Sequence, residues 1–229
     1  MPEGRTDGAG VRRMRAARLA GLYAVTPDIA DTAVLVRKVA AALDGGAAVV
    51  QYRNKTATPA LRLTQARALA RLLAGGDALF IVNDDVELAV AVEADGVHLG
   101  EHDPGVETAR ARLGTQRLIG VSCYDDWRLA RDAVDAGADY VAFGSFFASA
   151  TKPAARRADR GLLERARTLG VPVVAIGGIT SANAQALIDA GATAIAVVSD
   201  VFAHDDPADI TRAAAALSRG LAAAARHCA

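Results

Sequence analysis

The chain has 229 residues, 52% of them apolar, which provides a sizeable core and excludes wholesale disorder. Basic and acidic residues balance at 26 each and aromatics are 4%, so neither a nucleic acid nor a base-stacking partner is indicated. Cys123 and Cys228 are too few and too far apart for a disulfide framework or a CxxC motif. With no secretory signal in view, they point to a reducing, cytoplasmic setting.

Residues 1–20 carry Arg5, Arg12, Arg13, Arg15 and Arg18 against Glu3 and Asp7. The two carboxylates argue against a transit peptide, and the expectation is a tail or an extra helix outside the main fold. No uncharged apolar run is long enough to span a membrane, so no membrane partner is expected.

From residue 21 onward, β-branched apolar runs alternate with helical patterns. The predicted strands are 21–26, 48–53, 79–84, 96–100, 118–123, 140–145, 171–178 and 194–199, each bounded by Gly, Asp or Pro. The clearest predicted helices are 31–44, 58–74, 85–94, 125–136, 180–190 and 207–225. Thr58-Pro59, Thr180-Ser181 and Asp206-Pro207 read as N-terminal caps, and the Gly45-Gly46, Gly137 and Gly191 turns as C-terminal ones. Eight such units predict a (β/α)8 TIM barrel formed by one domain over 21–229. A doubly wound open sheet is disfavoured because no GxGxxG follows the first strand.

In a TIM barrel the chemistry sits at the C-terminal strand ends. Gln51, Arg53 and Lys55 follow the second strand at alternating positions and share one side while the chain stays extended, making an anion site. Asn83, Asp84 and Asp85 follow the third strand, and Glu101, His102 and Asp103 the fourth. Strand five ends at Ser122, and the polar loop after strand six holds Ser149, Thr151 and Lys152. Arg53, Lys55 and Lys152 together with Asp84 and Asp103 suit a Mg²⁺-bound diphosphate, since Mg²⁺ takes carboxylate and phosphate oxygens while the cations neutralise the rest. Gly177-Gly178 and Ser199, after strands seven and eight, suggest a second phosphate cradle. Asp84 or Asp85 can cap a helix starting at Val86; the cap is assigned to Asp85 and the metal to Asp84. Asp103-Pro104 also reads as a helix cap, an alternative that stands beside its metal role. His98 is assigned to barrel packing, Cys123 and Trp127 likewise, and His204 and His227 to the surface.

The segments QYRNK, FIVNDDVELA, ADGVHLGEHD, IGVS, ADYVAFGSFFASATKP, AIGGIT and AVVS resemble, in order, those of the thiamine-phosphate synthase family, across about residues 21–202. The resemblance implies a barrel enzyme that joins a hydroxymethylpyrimidine diphosphate to a thiazole phosphate with release of diphosphate. It implies that Gln51, Arg53, Lys55, Asn83, Ser122 and Lys152 bind the pyrimidine diphosphate, and that Asp84 and Asp103 hold Mg²⁺. Ser149, Thr151, Gly178, Val198 and Ser199 would hold the thiazole phosphate. Catalysis would fall to Arg53, Lys55, Lys152 and Ser122, through a dissociative step in which diphosphate leaves before the thiazole nitrogen attacks. Expected partners are therefore small phosphorylated substrates, with homo-oligomerisation left open. The chain departs from the family at Glu101 (usually Gln), Ala148-Ser149 (usually Pro-Thr) and Asp200 (usually Ala). A tautomerase-like relative would carry a His between Ser145 and Lys152, and none is there. A non-catalytic phosphate-binding barrel would have lost a metal carboxylate or Lys152, and neither is lost.

Overall fold

Eight apolar runs close into a parallel barrel in chain order: β1 (Gly21–Val25), β2 (Ala47–Tyr52), β3 (Leu79–Asn83), β4 (Gly96–Leu99), β5 (Leu118–Tyr124), β6 (Tyr140–Phe143), β7 (Val173–Ile176) and β8 (Ala194–Val197). This computed structural model describes residues 8–148 and 156–227, and side chains as far as Leu221. Pairing of β1 with both β2 and β8 completes the ring. The expected (β/α)8 architecture is therefore the one observed. Helix α1 (Gly8–Ala17) precedes β1. The barrel is then wrapped by α2 (Thr32–Asp44), α3 (Pro59–Leu73), α4 (Val86–Ala91), α5 (Val106–Leu113), α6 (Trp127–Asp135), α7 (Gly161–Ala166), α8 (Gln185–Ala190), α9 (Ser199–Phe202) and α10 (Pro207–His227). Among the described residues, no helix is long and apolar enough to cross a membrane.

Strand alternation builds two cores. Outward residues such as Leu22, Val50, Val82, Val141 and Ile195 pack under the helices. Inward residues, among them Tyr23, Val49, Ile81, Leu118, Tyr140 and Val174, fill the barrel. Gly120 has a specific use here, since a Cβ at that position would overlap the Tyr140 ring.

Several local expectations need correction. The strands predicted at 140–145, 171–178 and 194–199 end earlier, at Phe143, Ile176 and Val197, because their polar ends turn into loops or, at Ser199, into α9. The helix predicted at 180–190 starts only at Gln185, and neither Thr180 nor Ser181 caps it. The Thr180 N–H instead donates to Asn183 Oδ1 at 2.9 Å, a turn that delays the helix. Thr58, Asp85 and Asp206 do accept from the N–H groups of Leu61, Leu88 and Ala208 at 3.3, 2.9 and 2.8 Å. Asp103 is not a cap, because Gly105 occupies that position of α5.

Helix α1 lies against the N-terminal end of the barrel. Arg12 pairs with Asp139 at 2.9 Å and Arg15 with Asp95 at 3.1 Å, while Arg18 donates to the Asp77 carbonyl. Asp77, Asp95 and Asp139 lie just before β3, β4 and β6, and Leu19, 1% exposed, joins the inward core. Among the described residues, the opposite, C-terminal end stays open.

Candidate active site at the barrel mouth

That open end is a cavity of about 1020 Å³ whose wall includes Gln51, Arg53, Asn83, Ser122, Gly178, Val198 and Ser199. All seven were singled out from the sequence. Lys55, Asp84 and Asp103 form a group of their own beside this wall. Ser149, Thr151 and Lys152 lie outside the described residues.

The segment after β2 shows how its side chains divide. Thr26 accepts from the Arg53 N–H at 2.8 Å and donates to the Arg53 carbonyl at 2.9 Å, which keeps the chain extended past the end of the strand. Tyr52 and Asn54 turn outward, donating to Gln65 Oε1 on α3 at 2.8 and 3.0 Å. Gln51 and Arg53 are thereby left on the cavity side. Asp28, just after β1, accepts from the Lys55 N–H at 2.9 Å and from Arg53 Nη1 at 3.2 Å. One carboxylate thus holds the Arg53 guanidinium and the Lys55 backbone. The rule of looking at strand ends applies to Asp28 as well, but no motif marks it.

Asp84 sits at φ 63°, a left-handed conformation that aspartate tolerates better than most residues, and its N–H donates to the His98 carbonyl at 2.8 Å. Its carboxylate lies 3.4 Å from Lys55 Nζ. Asp103 faces Asp84 and accepts from the Gly100 N–H at 2.6 Å. Burial first, and then the Asp84 carboxylate, push the Asp103 carboxyl above the usual range. Two carboxylates held against each other with one lysine form a donor set that fits an oxygen-ligated divalent cation completed by phosphate oxygens. Among the described residues, no group of three or more His, Cys, Asp or Glu side chains is placed to hold a metal ion.

The β7–β8 side differs in kind. Gly177 and Gly178 have φ 103° and 64°. A Cβ would drive Gly177 into Ser145 and Gly178 into the backbone of Phe147 and Ala148. Glycine here permits both the turn and the close approach of the β6 loop. Glu101 and Asp200, two departures from the family pattern, belong to the cavity wall.

A polar chain crosses the barrel floor. Gln51 Nε2 donates to the Tyr23 hydroxyl at 2.8 Å, which lies 3.0 Å from the Tyr140 hydroxyl. Tyr140 lies 3.1 Å from His98 Nδ1, and His98 Nε2 lies 2.9 Å from Ser122 Oγ. Burial lowers the His98 pKa to about 4, so its ring is neutral near pH 7. His98 is thus more than packing, a role visible only once barrel closure brings the inward side chains of β1, β4 and β6 together. Cys123 is buried and its thiol is pushed up to about 12, which leaves it inert as a nucleophile.

Residues 22–201 match the protein-family model described as thiamine monophosphate synthase. The thiamine-phosphate synthase of Azoarcus sp. is 57% identical over 191 residues, covering 83% of this chain and 93% of that protein. That of Chromobacterium violaceum is 54% identical over 198 residues, covering 86% and 96%. Among solved structures, a thiamine phosphate pyrophosphorylase from Pyrococcus furiosus superposes with a TM-score of 0.80 at 34% identity, covering 92% of this chain and 98% of that one. The chain belongs to the thiamine monophosphate synthase family, and with its TIM-barrel fold it is a transferase of thiamine biosynthesis.

Proposed function

We propose that the chain condenses 4-amino-2-methyl-5-hydroxymethylpyrimidine diphosphate with 4-methyl-5-(2-phosphoethyl)thiazole, releasing thiamine phosphate and diphosphate. One observation carries this reading: the Lys55–Asp84–Asp103 group stands beside a cavity whose wall bears Gln51, Arg53, Asn83 and Ser122. Diphosphate is a good leaving group only where its developing charge is met by fixed cations and donors. Arg53, Lys55 and Lys152 supply the cations, and Asn83 and Ser122 the hydrogen bonds. Asp84 and Asp103 hold Mg²⁺, which when bound neutralises further phosphate charge. The carbon–oxygen bond to diphosphate breaks first, and the thiazole nitrogen captures the resulting pyrimidine methyl cation.

Gly178, Val198 and Ser199 hold the thiazole phosphate across the cavity, so that the two reactants meet over the barrel axis, and Ser149 and Thr151 are assigned to the same phosphate. No protein nucleophile is needed, in keeping with the inert Cys123. The setting we infer is the cytoplasm, where Cys123 remains a free thiol. The test is a synthesis assay with both substrates and Mg²⁺, repeated with a chelator. Thiamine phosphate should form and the chelator should stop it; absence of product in both arms refutes the reading.

A further inference from the structure

The chain from Gln51 to Ser122 joins two sides of the cavity through three residues that the sequence analysis gives no binding or catalytic role: Tyr23, Tyr140 and His98. Each hydroxyl in it has one hydrogen to give, and a neutral imidazole has one N–H. Burial raises both tyrosine pKa values, so both hydroxyls keep their hydrogens. Gln51 Nε2 donates to Tyr23, so the Tyr23 hydrogen is left for Tyr140. The Tyr140 hydrogen then goes to His98 Nδ1, and His98 must carry its proton on Nε2 and give it to Ser122 Oγ. Among the described residues Ser122 Oγ has no other hydrogen-bond partner, so its hydrogen is free to point into the cavity.

We propose that Tyr23, Tyr140 and His98 are positioning residues, a polarised hydrogen-bond relay that fixes Ser122 as a donor toward an anionic ligand oxygen and locks the amide of Gln51. The opposite polarity needs Gln51 to present its carbonyl oxygen to Tyr23. It would make Ser122 donate to His98 and turn only lone pairs toward the ligand, a repulsive arrangement beside a phosphate. Gly120 supports a built relay, because any side chain there would displace the Tyr140 ring. His98 and Tyr140 also stack, with ring centroids 5.5 Å apart and planes inclined by 28°, which restricts rotation of the imidazole.

The ligand side of this proposal rests on Ser122 being a substrate contact; the relay itself does not, and the first measurement needs no substrate. Nitrogen-15 NMR of the imidazoles reports the tautomer, and His98→Gln assigns the signal among the four histidines. His98 should be neutral and protonated on Nε2 at about pH 7. A ring protonated on Nδ1, or on both nitrogens, would overturn the relay. Tyr140→Phe keeps the ring but removes the hydroxyl, and the tautomer should become mixed; an unchanged tautomer would also overturn it. In the synthesis assay Tyr140→Phe should lower kcat/KM by about 5-fold, the size of one neutral hydrogen bond. His98→Leu should cost more, and His98→Gln, whose amide N–H can replace Nε2–H, should recover much of the loss. Equal losses in the two His98 variants would contradict the donor role. A correct tautomer with no synthesis in the wild type would leave the relay standing and sink the substrate reading instead.

Discussion

The two sides of the barrel mouth work by different physics. On the β2–β4 side, charge is concentrated: Arg53 pairs with Asp28 and Lys55 with Asp84, and Asp103 faces Asp84. On the β7–β8 side, the wall includes Gly177, Gly178 and Ser199 with Asp200 as its charged group, and shape dominates: two left-handed glycines let the β6 loop pack against the turn. Under the proposed function, that difference would let one cavity discriminate two phosphorylated partners. A metal-bound diphosphate wants charges, while a phosphate monoester is cradled by small residues and backbone.

The largest expected break falls on the charged side. Arg53→Ala removes a charge-assisted contact worth roughly 1.5–3 kcal/mol, so kcat/KM should fall about 10- to 150-fold. A rate unchanged in steady-state assays would move Arg53 out of the site. Next comes the glycine side. Gly178→Ala forces a Cβ into the Phe147–Ala148 backbone at φ 64°, costing roughly 1–3 kcal/mol. Thermal melting should show the loss, and the KM for the thiazole phosphate should rise more than that for the diphosphate. An equal rise in both would erase the proposed division.

The charged side can also be split within itself. Asp84→Asn should raise the Mg²⁺ concentration needed for half-maximal rate, with little change in melting temperature. Asp85→Ala should leave the Mg²⁺ requirement alone and cost roughly 0.5–2 kcal/mol of stability through the lost α4 cap. The reverse pattern would exchange the roles of these neighbours.

The smallest effect concerns Asp103. Burial and Asp84 raise its pKa in the folded chain, so folding favours the protonated acid. That contribution is present at low pH and lost as pH rises through the raised value. Without Mg²⁺, the melting temperature of the wild type should therefore drop relative to Asp103→Asn between about pH 4 and about pH 7. A difference that stays constant across that range would contradict the paired-carboxylate geometry.

Much of this was legible in the amino-acid order because the barrel strands are short β-branched runs with polar ends. QYRNK announces the charged side by its alternation alone. The β7–β8 side was legible only as glycines in a turn. Helix α8 begins late because the Asn183 side chain captures the Thr180 N–H, a local competition that residue type does not settle. Asp28 carries no signal in the amino-acid order because its partners Arg53 and Lys55 lie on the next strand's loop. Tyr23, His98 and Tyr140 come from three separate strands, and only barrel closure lines up their polar tips. The same holds for Arg12, Arg15 and Arg18, whose partners precede β3, β4 and β6.

The most direct test of the central claim, that both sides of the mouth serve one condensation, is the stoichiometry of product release. Purified protein with Mg²⁺ and the pyrimidine diphosphate should release diphosphate rapidly only when the thiazole phosphate is added, with one thiamine phosphate formed per diphosphate. Diphosphate released equally fast without the thiazole phosphate, or released with no thiamine phosphate, would contradict the account.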